Sequence, residues 1–513
     1  MYPAETPRLT GEQTAIIDAA RAGQNLVVTA GAGCGKTSTT REMTRAMRGR
    51  GLYVAFNKSV QREAEASFPR HVQARTAHSL AYRAMGKHYD RRRHAPAQTG
   101  AEVAAIVGLT EGVRFDEHTL LSPGRLGSLA ASTVEQFCCS AESSLTAQHV
   151  PHQTGISENP EWHRELARLL VPAAQRAWDN LQVADEQGGF DPQDPSSYRG
   201  WIKAKHSHYL KQWALTRPRL DVDFVCFDEA QDADPCVRSV LLDQQTQLVA
   251  VGDSAQQLYG WRNAVDALAD WPADQRLTLS ESFRFGADIA DEANLWLDEL
   301  DAELRLTGRG PEGVIGDLAG WPDAILCRTN AGALGEALSA LSAGKRTAIS
   351  GGGRAIREMA EAAQQLQQGQ PSTHPELCVF TSWSEVQAYV EAEADAVGEL
   401  AVFVKLVDTY TPELLIQAVD RLVADRPFPN QRNFRPPDVL ISTGHKAKGL
   451  QWPRVRIAGD FAEPAEADGE PAPIPPEMAM LAYVAVTRAE HHLAPGGLDW
   501  IHQRQSSTTQ RAA

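Results

Sequence analysis

The segment NLVVTAGAGCGKTSTTREMTRAM, residues 25–47, constrains this chain more than any other. A short apolar run rich in β-branched residues meets a glycine-rich turn, and a helix-compatible stretch follows. Strand, glycine turn and helix in that order point to an α/β architecture. The turn's backbone N–H groups and the helix N-terminus together suit phosphate oxygens. The candidate phosphate cradle is Ala30, Gly31, Ala32, Gly33, Cys34, Gly35, Lys36, Thr37 and Ser38. Gly33 and Gly35 let the backbone come close. Lys36 can reach the β- and γ-phosphates as a point charge, and Thr37 offers a hydroxyl to Mg²⁺. Ala30 stands where the strict pattern begins with glycine. A plain glycine turn followed by a chance Lys-Thr is the bland alternative.

A second apolar run, DVDFVCFDEAQD (221–232), ends in carboxylates. An Asp at the carboxyl edge of a parallel strand faces the crevice where ligands bind in open α/β sheets. Asp228 is the candidate Mg²⁺ ligand, and Glu229 the candidate base that orients and deprotonates a water. Alone, the same residues would read as a solvated strand end and a helix cap. Paired with Lys36, the catalytic reading is preferred. A third run, QLVAVGDSAQQLYGWRNA (247–264), places Gln256 just past a buried strand, where it can sense a terminal phosphate. Tyr259 and Trp261 beside Arg262 form a candidate stacking platform for unpaired bases. A core role for Trp261 is the alternative.

Composition sets the outer bounds. A single core stops growing near ~250–300 residues, so 513 residues imply at least two domains. With 42% hydrophobic and 22% charged residues, the chain is ordinary globular protein. No run approaches ~18 uninterrupted apolar residues, and no apolar segment follows the first residues, so neither a membrane span nor a secretory signal is expected. A net charge of −15 excludes a histone-like basic coat and leaves room for a local basic groove. Seven cysteines, an odd number without C-x-x-C spacing, suggest a reducing compartment with neither zinc nor disulfides.

GAGCGKT, DEAQD and GDSAQQLYGWRNA resemble motifs I, II and III of superfamily 1 helicases of the UvrD/Rep type. RLTGEQTAII (8–17) is similar to the Q-motif, which implies Gln13 as adenine reader. YVAFNKSVQREA (53–64) and RTAHSLAYRAMG (75–86) resemble the DNA-contacting motifs that follow motif I. LSESFRFGADIA (279–290) resembles motif IV, with Phe283 stacking on adenine and Arg284 as a cationic partner. YVAFNKSV, HYLKQWAL, ESFRFG and LCRTN are most similar to the F-box DNA helicase branch. No F-box is expected, since the motifs start at once.

In the second half, PDAILCRTNAGALGEAL (322–338) and RTAISGGGRAIREMAEAAQQL (346–366) each read as strand, turn, helix, so a second parallel α/β domain is expected. PDVLISTGHKAKGLQWPRVRIAGD (437–460) gives two strands around a basic loop and resembles motif V. MLAYVAVTRAEHHL (480–493) resembles motif VI. The resemblance makes Arg488 an arginine finger; outside this motif set it would read as a helix-surface arginine. Gln451 stands where the family has a ribose-contacting Glu, and Asn263 where it has Gly.

The resemblance implies two RecA-like parallel-sheet domains with mainly helical insertions. Expected boundaries are 1–90 with 216–285 for domain 1A, 91–215 for insertion 1B, 286–366 with 433–500 for domain 2A, 367–432 for a short 2B, and a flexible tail at 501–513. Segment 461–477 is read as an acidic, Pro-rich surface loop. The implied activity is ATP- and Mg²⁺-dependent 3′→5′ movement on single-stranded DNA, coupled to unwinding in repair, recombination or replication. Implied DNA contacts are Phe56, Asn57, Lys58, Thr76, His78, Tyr259, Trp261, Arg262, Thr443 and His445. Expected partners are single-stranded DNA, single-strand/duplex junctions, and single-strand-coating or recombinase proteins; no membrane is expected. The expected location is cytoplasmic, at the nucleoid in a bacterium or phage. A translocase that strips proteins from single strands is one alternative. A nucleotide-switched binding module is another.

Overall fold

The computed structural model describes residues 9–504 apart from 117–118, 154, 189–190, 192–193, 259–267, 371, 373, 375–376, 378–379, 393–397, 428–433, 465 and 468–469. The chain divides into two compact units: residues 1–29 with 36–278, and residues 30–35 with 279–513. Both are built on a six-stranded sheet, which fits the two α/β domains that the sequence pattern predicts.

In the first unit, α1 (Gly11–Arg21) precedes β1 (Leu26–Ala30), α2 (Lys36–Ala46), β2 (Gly51–Ala55), α3 (Lys58–Ser67), β3 (Val72–Thr76) and α4 (Ala77–Ala84). The insertion follows, with α5 (Gly100–Val107), α6 (Pro123–Cys139), α7 (Pro160–Gln182) and α8 (His206–Leu215). The chain then returns to the sheet with β4 (Phe224–Asp228), α9 (Pro235–Leu242), β5 (Gln247–Gly252) and β6 (Gln275–Leu279). Strand order is β3-β2-β4-β5-β1-β6, and the pairings from β3 to β1 are all parallel. Strands β2 and β4 are buried along their whole length, so they read as continuous apolar runs rather than alternating ones.

The helical insertion shares one apolar core with this sheet. Val54 and Val225 belong to the same cluster as Leu129, Phe137, Leu170 and Trp178. Two buried cations fasten the helix ends. Arg92 donates to the carbonyls of Asn180 in the last turn of α7, of Val183 at its C-cap and of Ile202 beyond it. Burial pulls its pKa down to about 10. Lys211 donates to the carbonyls of Ser140 and Glu142 and sits 4.3 Å from the centre of the Phe137 ring. Carbonyls left over at helix C-termini are acceptors without an intrahelical partner, and a cation suits both their lone pairs and the dipole.

The second unit contains α10 (Ala287–Glu299), β7 (Val314–Ile315), β8 (Ala324–Cys327), α11 (Asn330–Ser342), β9 (Thr347–Ile349), α12 (Arg354–Gln367), α13 (Trp383–Ala392) and α14 (Gly398–Asp420). It continues with β10 (Val439–Thr443), α15 (Gly444–Ala447), β11 (Trp452–Ile457), α16 (Pro476–Val486) and β12 (Ala489–Ala494). Strand order is β7-β12-β11-β8-β10-β9, parallel throughout. Helix α14 breaks at Thr411, where φ is +51°, just ahead of Pro412. The segment read as a plain loop holds a short antiparallel ladder, Glu466–Ala467 against Glu470–Pro471. Among the described residues no helix is long and apolar enough to cross a membrane.

Candidate functional site

Ala30 ends β1 and Lys36 begins α2, so the glycine turn joins a strand's carboxyl edge to a helix N-terminus. The first turn of α2 holds no acidic residue, which leaves the positive end of the helix dipole available to an anion. Thr37 and Ser38 are exposed there. Residues 30–35 pack with the second unit. The Gly31 N–H donates to the Leu279 carbonyl at 3.0 Å, and the Phe283 N–H to the Gly33 carbonyl at 3.0 Å. Ala32 N–H donates to the Tyr483 hydroxyl at 3.2 Å. Gly33 has φ of +76°, and a Cβ there would come 2.5 Å from Ser282 Oγ and 2.6 Å from Arg284 Cβ. Conformation and space both demand glycine.

In the first unit, Lys36 meets both carboxylates of the second motif. Its ammonium lies 3.2 Å from Asp228 Oδ1 and donates to Glu229 Oε1. Burial alone would lower the Lys36 pKa, but the charges of Asp228 and Glu229 outweigh it and raise it. Glu229 sits at φ +52°, a left-handed conformation that costs a non-glycine residue roughly 1 kcal/mol or more. That turn lets consecutive residues at the end of β4 both face Lys36, although side chains alternate along a strand.

Three positioning residues escape the sequence reading. The Tyr53 hydroxyl on β2 donates to Asp228 Oδ2, and burial followed by the Asp228 charge raises its pKa. Gln231, wholly buried, donates to Glu229 Oε2 at 2.6 Å. Its amide oxygen accepts the Asp253 N–H at 3.0 Å. Asp253 in turn accepts a hydrogen bond from Gln256 Nε2. The second and third motifs are thus one hydrogen-bonded network that includes Gln256. Gln231 was visible inside DEAQD as a polar residue two after the glutamate; Tyr53 lies mid-strand and carries no motif signal.

Gln13 is the third residue of α1 and closes its capping box with Thr10. Its amide NH₂ donates to Thr39 on α2 at 3.1 Å. In the second unit, Arg284 donates to Gln451 Oε1 at 2.9 Å and to the Thr487 carbonyl at 2.8 Å. Burial lowers its pKa. Gln451 also donates to Glu490 Oε1 at 2.6 Å. Arg488 is only 1% exposed, which removes the surface-arginine alternative. It donates to Val484 O at 2.9 Å, Leu450 O at 3.2 Å and Thr487 Oγ1 at 2.9 Å. Phe283, beside Arg284, is 48% exposed.

The residues assigned to DNA contact follow strand ends. Phe56, Asn57 and Lys58 come directly after β2 and are exposed. Thr76 ends β3 and His78 follows it, exposed. Asn57 and Thr76 cap α3 and α4. Thr443 ends β10 and caps α15, with His445 exposed in that helix. Tyr259, Trp261, Arg262 and Asn263 lie outside the described residues.

A divalent cation fits the first unit. Asp228 Oδ1 is buried, and apart from the Lys36 charge it accepts no hydrogen bond. Magnesium is typically held by one or two protein oxygens plus phosphate. Among the described residues no three His, Cys, Asp or Glu side chains cluster as a metal site.

The AAA domain family model matches residues 13–262. The chain is 26% identical to F-box DNA helicase protein 1 of Schizosaccharomyces pombe, over 95% of this chain and 57% of that one. It is 28% identical to F-box DNA helicase 1 of Gallus gallus, over 94% of this chain and 48% of that one. The chain spans about half the length of these relatives. Over nearly its whole length, then, the chain is similar to these two F-box DNA helicases, and its first half to the AAA domain family.

Proposed function

We propose that this chain hydrolyses ATP to move along single-stranded DNA in the 3′→5′ direction, unwinding duplex at single-strand/duplex junctions. The observation that carries this reading is the meeting of Lys36, Asp228 and Glu229 at the carboxyl edge of a parallel sheet. The names of its relatives supply the polymer.

The substrate's anionic oxygens compete with the carboxylates for the Lys36 ammonium. With Lys36 turned to phosphate, Asp228 and Thr37 would be the residues to hold Mg²⁺, and Glu229 is free of its ion pair with Lys36 to accept a proton from water. A bound Mg²⁺ would supply charge neutralisation at the phosphates. Gln231 keeps Glu229 aimed by holding its second oxygen, and Gln256 reports on the same network through Asp253. Gln13 and Phe283 are assigned to adenine, Gln451 to ribose, and Arg284 and Arg488 to the charge of the transferring phosphoryl group. The residues that follow β2, β3 and β10 are assigned to DNA, together with Tyr259, Trp261 and Arg262 as a stacking platform.

The test is ATP turnover with oligo-dT, oligo-U or no polymer added. Strong stimulation by DNA is expected. Turnover indifferent to DNA contradicts the reading. A forked-duplex assay set beside displacement of a recombinase filament separates unwinding from protein stripping, the second activity that the F-box relationship favours.

A further inference from the structure

One exposed cluster in the first unit joins residues of two motifs to a histidine that no motif includes. His206 is the first residue of α8, two residues ahead of HYLKQWAL, and it is exposed. Its ring meets that of His78 edge-on, with centroids 6.2 Å apart at 84°. Lys58 and Arg93 are close enough to act on it electrostatically. Three different parts of the chain therefore converge here: the start of α3, the start of α4 and the last helix of the insertion.

The chemistry favours an anion. Asp90 is the carboxylate bonded within this group, and it is already engaged by Arg93 at 2.8 Å and by the Tyr82 hydroxyl at 2.6 Å. Lys205, next door, pairs with Glu135 at 3.1 Å. His206 Nδ1 lies 2.8 Å from the buried Tyr209 hydroxyl. When that hydroxyl donates to Nδ1, the ring proton resides on Nε2, a donor even in the neutral imidazole. Among the described residues His206 Nε2 has no hydrogen-bond partner. Burial first, then the positive charges of Arg93 and Lys58, lower the His206 pKa. The ring thus sits in a positive field, within a chain whose net charge is −15.

We propose that His206 is a further nucleic-acid contact, forming with Lys58 and His78 a phosphodiester-binding patch that carries single-stranded DNA from the starts of α3 and α4 onto the last helix of the insertion. This rests on the DNA-translocase reading above. A purely structural histidine, present only to satisfy Tyr209, is the competing account.

The experiment measures anisotropy of labelled oligo-dT on the full chain carrying His206→Lys, His206→Gln or His206→Glu, with DNA-free ATP turnover as the control. Affinity should rank Lys above Gln above Glu, with Glu about tenfold or more weaker than wild type, since a carboxylate repels the phosphate it faces. DNA-free turnover should be unchanged in all three. Equal affinity of the Lys and Glu variants overturns the inference and leaves the histidine as a partner of Tyr209 alone. If wild type itself fails to bind oligo-dT, the translocase reading falls first and this inference with it.

Discussion

The two arginine- and lysine-bearing sites handle positive charge in opposite ways. In the first unit, the ammonium of Lys36 is matched by two carboxylates, Asp228 and Glu229. In the second, the guanidinium of Arg488 donates to two backbone carbonyls and a threonine hydroxyl. Ion pairs are exchangeable against a stronger anion, while carbonyl and hydroxyl acceptors fix the direction in which a guanidinium's N–H groups point. Lys36 is thus built to change partners, and Arg488 to stay pointed. Rigid acceptors suit a residue whose worth depends on orientation, because a small misplacement at a reacting centre is expensive.

The harshest way to break this contrast is to remove the fixed cation. Arg488→Ala should lower kcat of DNA-stimulated ATP turnover by ~10³-fold or more. Arg488→Lys should rescue little, because a single ammonium cannot satisfy three acceptors in a plane and also reach outward. Turnover of the Lys variant within tenfold of wild type would show that charge alone matters there. Next in size, Glu229→Gln should cost ~10²–10⁴-fold in turnover while nucleotide binding persists, since Asp228 still pairs with Lys36. Equal losses of binding and turnover would recast Glu229 as a partner of Lys36 only.

A smaller effect sharpens the contrast. Gln231→Ala leaves Glu229 paired with Lys36 but no longer held at its second oxygen, so kcat should fall ~10–100-fold with KM for ATP little changed. A rise in KM with unchanged kcat would count against the positioning role.

The smallest effect calibrates what charge pairing is worth for stability rather than catalysis. Glu135 accepts from Ser207 and lies 2.9 Å from His208 Nε2 and 3.1 Å from Lys205 Nζ. Burial alone would raise its pKa, but His208, Lys205 and Ser207 together pull it down to about 2. A carboxylate depressed below its unfolded value of ~4.3 stabilises the fold above that pH, and the contribution disappears as pH falls toward about 2. Glu135→Gln should therefore cost on the order of 1–2 kcal/mol in urea melts near neutral pH, and progressively less below pH ~4. A cost independent of pH would assign the loss to packing.

These contrasts also mark what could be read in advance. The glycine turn, the carboxylate strand and the strand–turn–helix units of the second domain are local: a dozen consecutive residues carry each signal. Gln231 was equally local, a buried amide beside its glutamate. Tyr53 was not, because its reach to Asp228 depends on the parallel register that sets Tyr53 opposite Cys226. His206 depends on helix packing that brings residues 78 and 206 together. The anchoring of Arg488 required knowing that the C-terminal half of α16, from Leu481 to Val486, is buried. The ladder around Glu466 has a local signal, since Asp468-Gly469 is a hairpin dipeptide, but it stands in an acidic, Pro-rich segment that reads as loop.

The central claim is that a lysine held between two carboxylates serves polymer-coupled ATP cleavage. The most direct measurement is steady-state ATP turnover of wild type and Lys36→Ala, each with and without saturating oligo-dT. The account predicts strong DNA stimulation in wild type and turnover near background in Lys36→Ala under both conditions. Wild-type turnover that ignores DNA, or a Lys36→Ala enzyme that still responds to it, would contradict the account.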